Sequence, residues 1–301
     1  MSLQGLAPDG WHVSAEDVED FVSRMRDNPP SADGASTLDQ HLPSGAANPA
    51  WLAARRGRLT ASRFGAAAGH NKFCSPMECL KEMMWGSFQG NDATRYGNFF
   101  EDTAEAALGA MLPMQFGSRN LRMEHRGMLL ATNYAKYPYV GMSPDGILCE
   151  GGDDGTPHRE VALIEYKCPY GRRGNGKVYA GVPHYYYDQI QGIMHYRENL
   201  PEAHFVVWTP EQVRWTRVPY DPVYGADLAE RLADFYYRLY APAAIRRARG
   251  VLPKGEVECV VSLGTLPVLT PAPAVVAGPD NFIGDEDKGK RPRCDNHVAR
   301  D

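Results

Sequence analysis

No apolar run in this chain approaches the ~20 residues that a bilayer-spanning helix needs, and Met1–Gly10 lacks the basic-then-apolar pattern of a secretory leader. A soluble, intracellular protein with no membrane partner is the expectation. Cysteine is sparse and scattered: Cys74 and Cys79 are the closest pair, and Cys149, Cys168, Cys259 and Cys294 stand apart. A disulfide framework is thereby excluded. Zinc and iron–sulfur sites announce themselves by tighter pairs such as C-x-x-C, so a thiolate metal site is not expected either. An excess of basic charge is missing too. The net charge is −5, which rules out a surface coated with phosphate-binding groups but leaves room for a local basic groove. Internal repeats are absent.

What is present is a composition that can build a real core, 43% hydrophobic with 23% charged residues in 301. Residues 1–50 read as an N-terminal arm. It holds one short helix capped by Ser14, with Val18, Phe21, Val22 and Met25 at helical spacing, then a Ser/Gly/Ala/Pro linker to Pro49. Residues 51–253 carry the pattern of a packed α/β domain. Residues 254–301, rich in proline, are expected to be mostly disordered, with one extended piece at Val257–Leu263. The cluster Lys288-Gly-Lys290-Arg291-Pro-Arg293 reads first as a solvated tail, with nuclear import or DNA contact as the alternatives.

Within the domain, Ser75 followed by Pro76 predicts a helix start that runs to Met84. Arg95–Met111 follows as a helix with Phe99, Phe100, Ala104, Ala107 and Leu108 on its apolar stripe. Strands are expected at Arg126–Thr132, Tyr139–Met142, Gly146–Cys149 and Glu160–Tyr166, with Gly151–Gly155 as a loop. Val182–Asn199 reads as a helix. Phe205–Thr209 and Val213–Val218 form a hairpin, and Ala226–Arg249 a long helix with a break point at Pro242. A central sheet flanked by helices is the fold class that results.

Two short stretches carry chemistry. Ser143-Pro144-Asp145-Gly146 places an acid on a tight turn, and Ile164-Glu165-Tyr166-Lys167 places an acid and a lysine two residues apart on an apolar strand. Strand side chains alternate with period two, so Glu165 and Lys167 share a face. Pro-Asp-Gly makes a good turn in its own right, and a Glu-x-Lys pair can be a surface ion pair. Both explanations together require two coincidences, whereas two carboxylates and an ammonium converging on one point suit a hard divalent cation and an attacking water. Asp145 and Glu165 are therefore the candidate ligands of Mg²⁺, or of Mn²⁺, with the backbone carbonyl of Tyr166 as a third. Lys167, beside two carboxylates, should stay protonated. Charge stabilisation suits it better than general base catalysis, with orientation of the water as the other role.

Read with three further blocks, these stretches resemble the λ-exonuclease-like, YqaJ-type viral recombinase nucleases of the PD-(D/E)-x-K superfamily. The resemblance runs from Trp51 to about Trp215. It rests on Arg55-Arg-Gly-Arg-Leu-Thr60-Ala61-Ser62, Gly97-Asn-Phe-Phe-Glu101, the two stretches above and Tyr187-Asp-Gln189-Ile-Gln191. It implies a restriction-endonuclease-like α/β core, a central mixed sheet flanked by helices. It implies that Arg55, Ser62 and Ser143 bind DNA phosphate and that helical Glu101 stands near the metal, on a metal-bound water or on the ion itself. Gln189, rather than Gln191, would bond a substrate phosphate or position the water. Arg56, Arg58 and Arg63 are left as background field, and the basic loop Arg172–Lys177 as a wall of the DNA path. His70, His184 and His195 show no metal-ligand spacing.

The activity implied is metal-dependent hydrolysis of DNA phosphodiesters, as a 5′→3′ exonuclease resecting duplex ends for viral or phage-type recombination. Partners would be double-stranded DNA ends and a single-strand annealing protein, in host cytoplasm or nucleus. The oligomeric state stays open between monomer and ring-forming homo-oligomer. The alternatives are a structure-specific endonuclease of the same superfamily, whose iron–sulfur members need four convergent cysteines, and a catalytically silent DNA-binding module.

Overall fold

A computed structural model describes residues 9–30, 48–86, 91–116, 121–151, 159–170, 179 and 181–255. The expected strand at Val257–Leu263, the basic cluster at 288–293, the loop at 172–177 and all but Gly151 of the acidic loop lie outside them.

Helix α1 (Ala15–Asp27) opens on the capping box of Ser14 and Asp17, which satisfies amides that the first turn cannot pair internally. It packs against the domain. Val22 is fully buried, the Met25 carbonyl accepts from the Tyr134 hydroxyl, and Arg249 donates to Asp17. α2 (Pro49–Arg55), a helix the sequence pattern did not single out, begins where the linker was read to end, at Asn48, whose side chain accepts from the Ala50 amide at 3.0 Å. Strand β1 (Leu59–Thr60), a 3₁₀ turn at Ala61–Arg63 and the short α3 (Phe64–Ala67) follow. α4 (Pro76–Trp85) has the expected cap, Ser75 with Glu78.

α5 (Asp92–Phe116) is longer than the apolar spacing predicts. Ala104 and Leu108 are buried as expected, but Phe99 is 75% exposed. Phe100, one turn before Ala104, stacks on Trp208 of the main sheet with ring centroids 4.8 Å apart. The packed face therefore runs through Phe100, Ala104 and Leu108, and Phe99, about 100° round the helix, points away from it.

The main sheet runs β2 (Leu121–Glu124), β4 (Gly146–Glu150), β5 (Arg159–Lys167), β6 (Glu202–Thr209) and β7 (Gln212–Pro219), in that order. β5 pairs antiparallel with β4 and parallel with β6. The parallel pair needs a crossover, which α6 (His184–Arg197) supplies. β6 and β7 form the expected hairpin about Thr209. Val140–Gly141 is strand β3, paired parallel with β1. Expectation fails at Arg126–Thr132, which contributes only a single bridge, Leu129 to Met142. The strand lies just before it, at Leu121–Glu124, too short for alternation to stand out.

β5 is central, and both its faces are covered. Ala162, Ile164 and Tyr166 pack with Ala104 and Leu108 of α5. Leu163 faces the larger core that holds Ile190 and Ile193 of α6. The terminal helix is broken near the expected proline. α7 (Pro222–Phe235) passes through a π turn at Tyr236–Tyr240 into α8 (Ala241–Ala248). Pro242 has no amide to offer the turn before it, and a wider turn is one way a helix accommodates that loss. Among the described residues no helix is long and apolar enough to cross a membrane.

Candidate active site

Period-two alternation on β5 sends Glu165 and Lys167 to the face that α6 covers. The tight turn before β4 brings Asp145 alongside, where its Oδ2 accepts from the Tyr166 amide at 2.7 Å. Tyr166 thus enters the site through its N–H, which fixes Asp145. Lys167 Nζ donates to Glu165 Oε1 and stands 3.9 Å from Asp145 Oδ2. The two acids and the lysine do converge. Gln189, from α6, donates to the same Glu165 oxygen at 2.6 Å. That contact brings its side chain into the same polar cluster. Gln191 is spent elsewhere, on Pro219 and Asp221.

Glu165 is fully buried, and its Oε2 has no hydrogen-bond partner. An orphaned carboxylate oxygen in the interior is costly unless something positive meets it. Burial first, then the neighbouring Asp145, pushes Glu165 up to about 8. Burial and then Asp145 likewise raise the half-buried Glu101 of α5, to about 7. Asp145 is raised by burial, against the pull of Lys167. Burial alone would lower Lys167, but Glu165 and Asp145 outweigh it and hold the ammonium charged. Three acids thus share one cation.

The donor set fits a divalent ion on these grounds. The carboxylates are hard oxygen ligands, one has an open coordination position, and the Lys167 ammonium lies between Asp145 and Glu165 as a stand-in cation. The acids are not fully closed around a point. Among the described residues the group of three His, Cys, Asp or Glu donors within 4.8 Å of one another is His70, His184 and Asp188. Those two histidines, which spacing had left apart, are brought together by the tertiary structure. His195 instead meets the Tyr220 hydroxyl at 2.9 Å.

A second cluster adjoins the turn. The Arg55 guanidinium lies 4.2 Å over the Trp51 ring and 3.5 Å from Ser143 Oγ. Trp51 Nε1 reaches the same hydroxyl at 3.2 Å. Burial and then Arg63 lower Arg55 to about 10, so the guanidinium stays charged at neutral pH. Ser62 is exposed on the 3₁₀ turn and takes no part in these contacts. Arg58 is not background field. It is buried and donates to the carbonyls of Pro138 and Ala54. Trp51 was legible in principle, one helical turn before Arg55. Tyr186, whose ring lies 5.0 Å from Lys167 Nζ, was not. His125 was also missed. It bonds Glu105 at 3.1 Å, and its charge favours the ionised forms of Glu101 and Asp145.

One measurement follows from the crowded acids. Glu165 and Glu101 favour the metal-free fold in their protonated forms. That contribution is present below about 4.5 and lost as pH rises through about 7 and about 8. The stabilisation by Mg²⁺ or Mn²⁺ should therefore grow with pH. At a hundredfold excess over its dissociation constant it should reach about 2.7 kcal/mol, roughly 5–10 °C in Tm. Thermal melts with metal and with EDTA at pH 6 and 8.5 check this. An equal difference at both values, or the same growth in Glu165→Gln, would exclude the acids as its source.

A five-stranded mixed sheet, a Pro-Asp turn and a Glu-x-Lys strand end sharing one buried polar point together define the PD-(D/E)-x-K class of α/β fold. Residues 50–198 match the model of the YqaJ-like viral recombinase domain. Among solved structures the chain is similar to an alkaline exonuclease from Laribacter hongkongensis. Identity is 23%, with 67% of this chain and 98% of that one covered and a TM-score of 0.46. A structure of that enzyme with dAMP gives 24% over the same shares, with a TM-score of 0.48. Among curated proteins none matches this chain.

Proposed function

We propose that this protein is a divalent-metal-dependent deoxyribonuclease, a 5′→3′ exonuclease that resects duplex ends for recombination of the viral or phage type. The observation that carries the reading is the Lys167 ammonium lying between Asp145 and a Glu165 whose second oxygen is buried without a partner. Asp145 and Glu165, with Glu101 and the Tyr166 carbonyl, would hold Mg²⁺ or Mn²⁺. The bound ion would supply Lewis acidity toward a phosphoryl oxygen and a lowered pKa for the attacking water.

The residues of the chain do the rest. Lys167, kept charged by its neighbours, offsets the negative charge that builds on the phosphate. Gln189 orients Glu165, and the Tyr166 amide orients Asp145. Arg55 and Ser143, two residues from Asp145 along the chain, suit a strand-end phosphate, with Ser62 exposed to add a contact. The guanidinium is planar and held against Trp51, which spares the ordering cost of a free arginine. A single-strand annealing protein would take up the 3′ strand so produced.

End-labelled linear duplex, incubated with and without EDTA, tests the reaction. Circular plasmid tests the need for an end, and its digestion would favour the endonuclease alternative. A charge-assisted contact contributes about 1.5–3 kcal/mol, roughly ten- to a hundredfold in rate. A 5′-phosphorylated duplex should be degraded faster than its hydroxyl twin by about that factor, and Arg55→Ala should erase the difference. Equal rates for the two ends in the parent protein would remove the anchor role of Arg55.

No cysteine group comes together among the described residues, although Cys259 lies outside them. Cys74, Cys79 and Cys149 are buried.

A further inference from the structure

Helix α6 is held toward α3 and α7 by a chain of polar contacts that the chemistry above does not use. The Asp188 side chain has no exposed surface. It accepts from His70 Nδ1, which lies 3.0 and 3.2 Å from its two oxygens, and from the Tyr224 hydroxyl at 2.6 Å. His184 Nε2 lies 2.9 Å from that same hydroxyl. The hydroxyl proton goes to Asp188, so His184 meets the oxygen lone pair, and Nε2 is the nitrogen that carries its hydrogen.

The spacing of His70, His184 and Asp188 invites a metal ion, but the ring geometry argues against one. Their imidazoles are stacked, 8° from parallel with centroids 4.6 Å apart. An ion bonds an imidazole nitrogen at about 2 Å, near the plane of the ring. Two parallel stacked rings have no common point of that kind. Asp188 is meanwhile satisfied by two donors, as a buried carboxylate must be.

The next residue along the helix is Gln189, which reaches Glu165, and Tyr186 of the same helix faces Lys167. Successive residues on an α-helix point about 100° apart. Pinning Asp188 toward His70 and Tyr224 therefore sets the angle at which Gln189 meets the sheet. Gly65 of α3 makes the approach close: a Cβ there would lie 3.1 Å from Asp188 Oδ2 and 2.8 Å from the Tyr185 Cα.

We propose that His70, Asp188, Tyr224 and His184 form a positioning network that sets the rotation of α6 and with it the contacts of Gln189 and Tyr186 in the active site. Its catalytic consequence rests on the nuclease reading; its geometry does not. The network assigns a particular nitrogen to each histidine, Nδ1 to His70 and Nε2 to His184. An asparagine amide can replace Nδ1 and a glutamine amide Nε2. His70→Asn and His184→Gln should therefore preserve the network, while His70→Gln and His184→Asn should break it. Tyr224→Phe, which removes one hydroxyl and keeps the ring, should also break it.

The full-length protein, labelled with ¹⁵N-glutamine and free of metal and DNA, gives the first readout: the side-chain amide resonances of Gln189. They should hold their place in the two conserving variants and move in the three breaking ones. The second readout is kinetic. The breaking variants should lose about tenfold or more in kcat with KM for duplex ends nearly unchanged, and the conserving ones should stay near the parent. Indifference of both readouts to the Asn/Gln choice would overturn the proposal. So would a stoichiometric zinc ion lost on substitution of either histidine. A parent protein that cleaves no DNA would fail the nuclease reading and leave the resonance test standing. Should the histidine variants not fold, Tyr224→Phe decides by the same readouts.

Discussion

Lys167→Ala and Asp145→Ala are each expected to reduce cleavage of linear duplex by at least about 10²- to 10³-fold, with DNA affinity changed little. Lys167 bonds Glu165 and stands near Asp145, and those two carboxylates hold it charged against the effect of burial. Removing it leaves the developing phosphate charge without its nearest compensation. It also leaves Glu165 Oε1 dependent on Gln189 alone. Removing Asp145 deletes a proposed metal ligand and frees the Tyr166 amide. Neither change touches Arg55, Ser143 or Ser62, so binding should persist. Rates on end-labelled duplex beside fluorescence anisotropy of the same DNA separate the two effects. Cleavage near the parent rate in both variants would end the enzyme reading, and parallel loss of binding would point to a folding defect instead.

The second large effect falls on stability. Gly65→Ala places a methyl 2.8 Å from the Tyr185 Cα and 3.1 Å from an Asp188 oxygen. The Tyr185 Cα belongs to the backbone of α6 and cannot rotate away, so α3 and α6 must separate. Overpacking of this kind costs about 1–3 kcal/mol, sometimes more, roughly 2–12 °C in Tm for a domain of this size. Gly109 is the contrast. It sits in α5, and nothing lies within 4 Å of the Cβ that alanine would add. Gly109→Ala should stabilise by about 0.5–1 kcal/mol, because alanine loses less backbone entropy in a helix. Thermal melts in EDTA compare the two without any contribution from bound metal. Equal shifts would show that the α3–α6 seam can open at little cost.

The two acids and the lysine were legible because each lies in a short pattern with local meaning. Pro-Asp-Gly makes a turn wherever it falls, and period-two alternation joins Glu165 to Lys167 on any strand. The caps at Ser14 and Ser75 were legible for the same reason, a side chain acting three residues away. Phe99 was misjudged because an apolar residue on a helix is buried only where something faces it, and the sheet meets the neighbouring Phe100 instead. Gln189 was singled out as a site residue, but its partner could not be foreseen, since the rotation of α6 depends on α3 and α7. His70 lies 118 residues from Asp188, a separation at which spacing carries no information.

By itself, the order of residues determined the longer helices and most strands, the face that Glu165 shares with Lys167, and the basic cluster that contains Arg55. All of these follow from backbone geometry and from interactions within a few positions along the chain. Only the tertiary structure decided that Lys167 lies between two acids, that Glu165 keeps one oxygen without a partner, that Arg55 lies against Trp51 beside Ser143, and that His70 and Tyr224 share Asp188. Those arrangements depend on which surfaces meet when the core closes, and the burial that closure brings raises the pKa of Glu165 and Glu101.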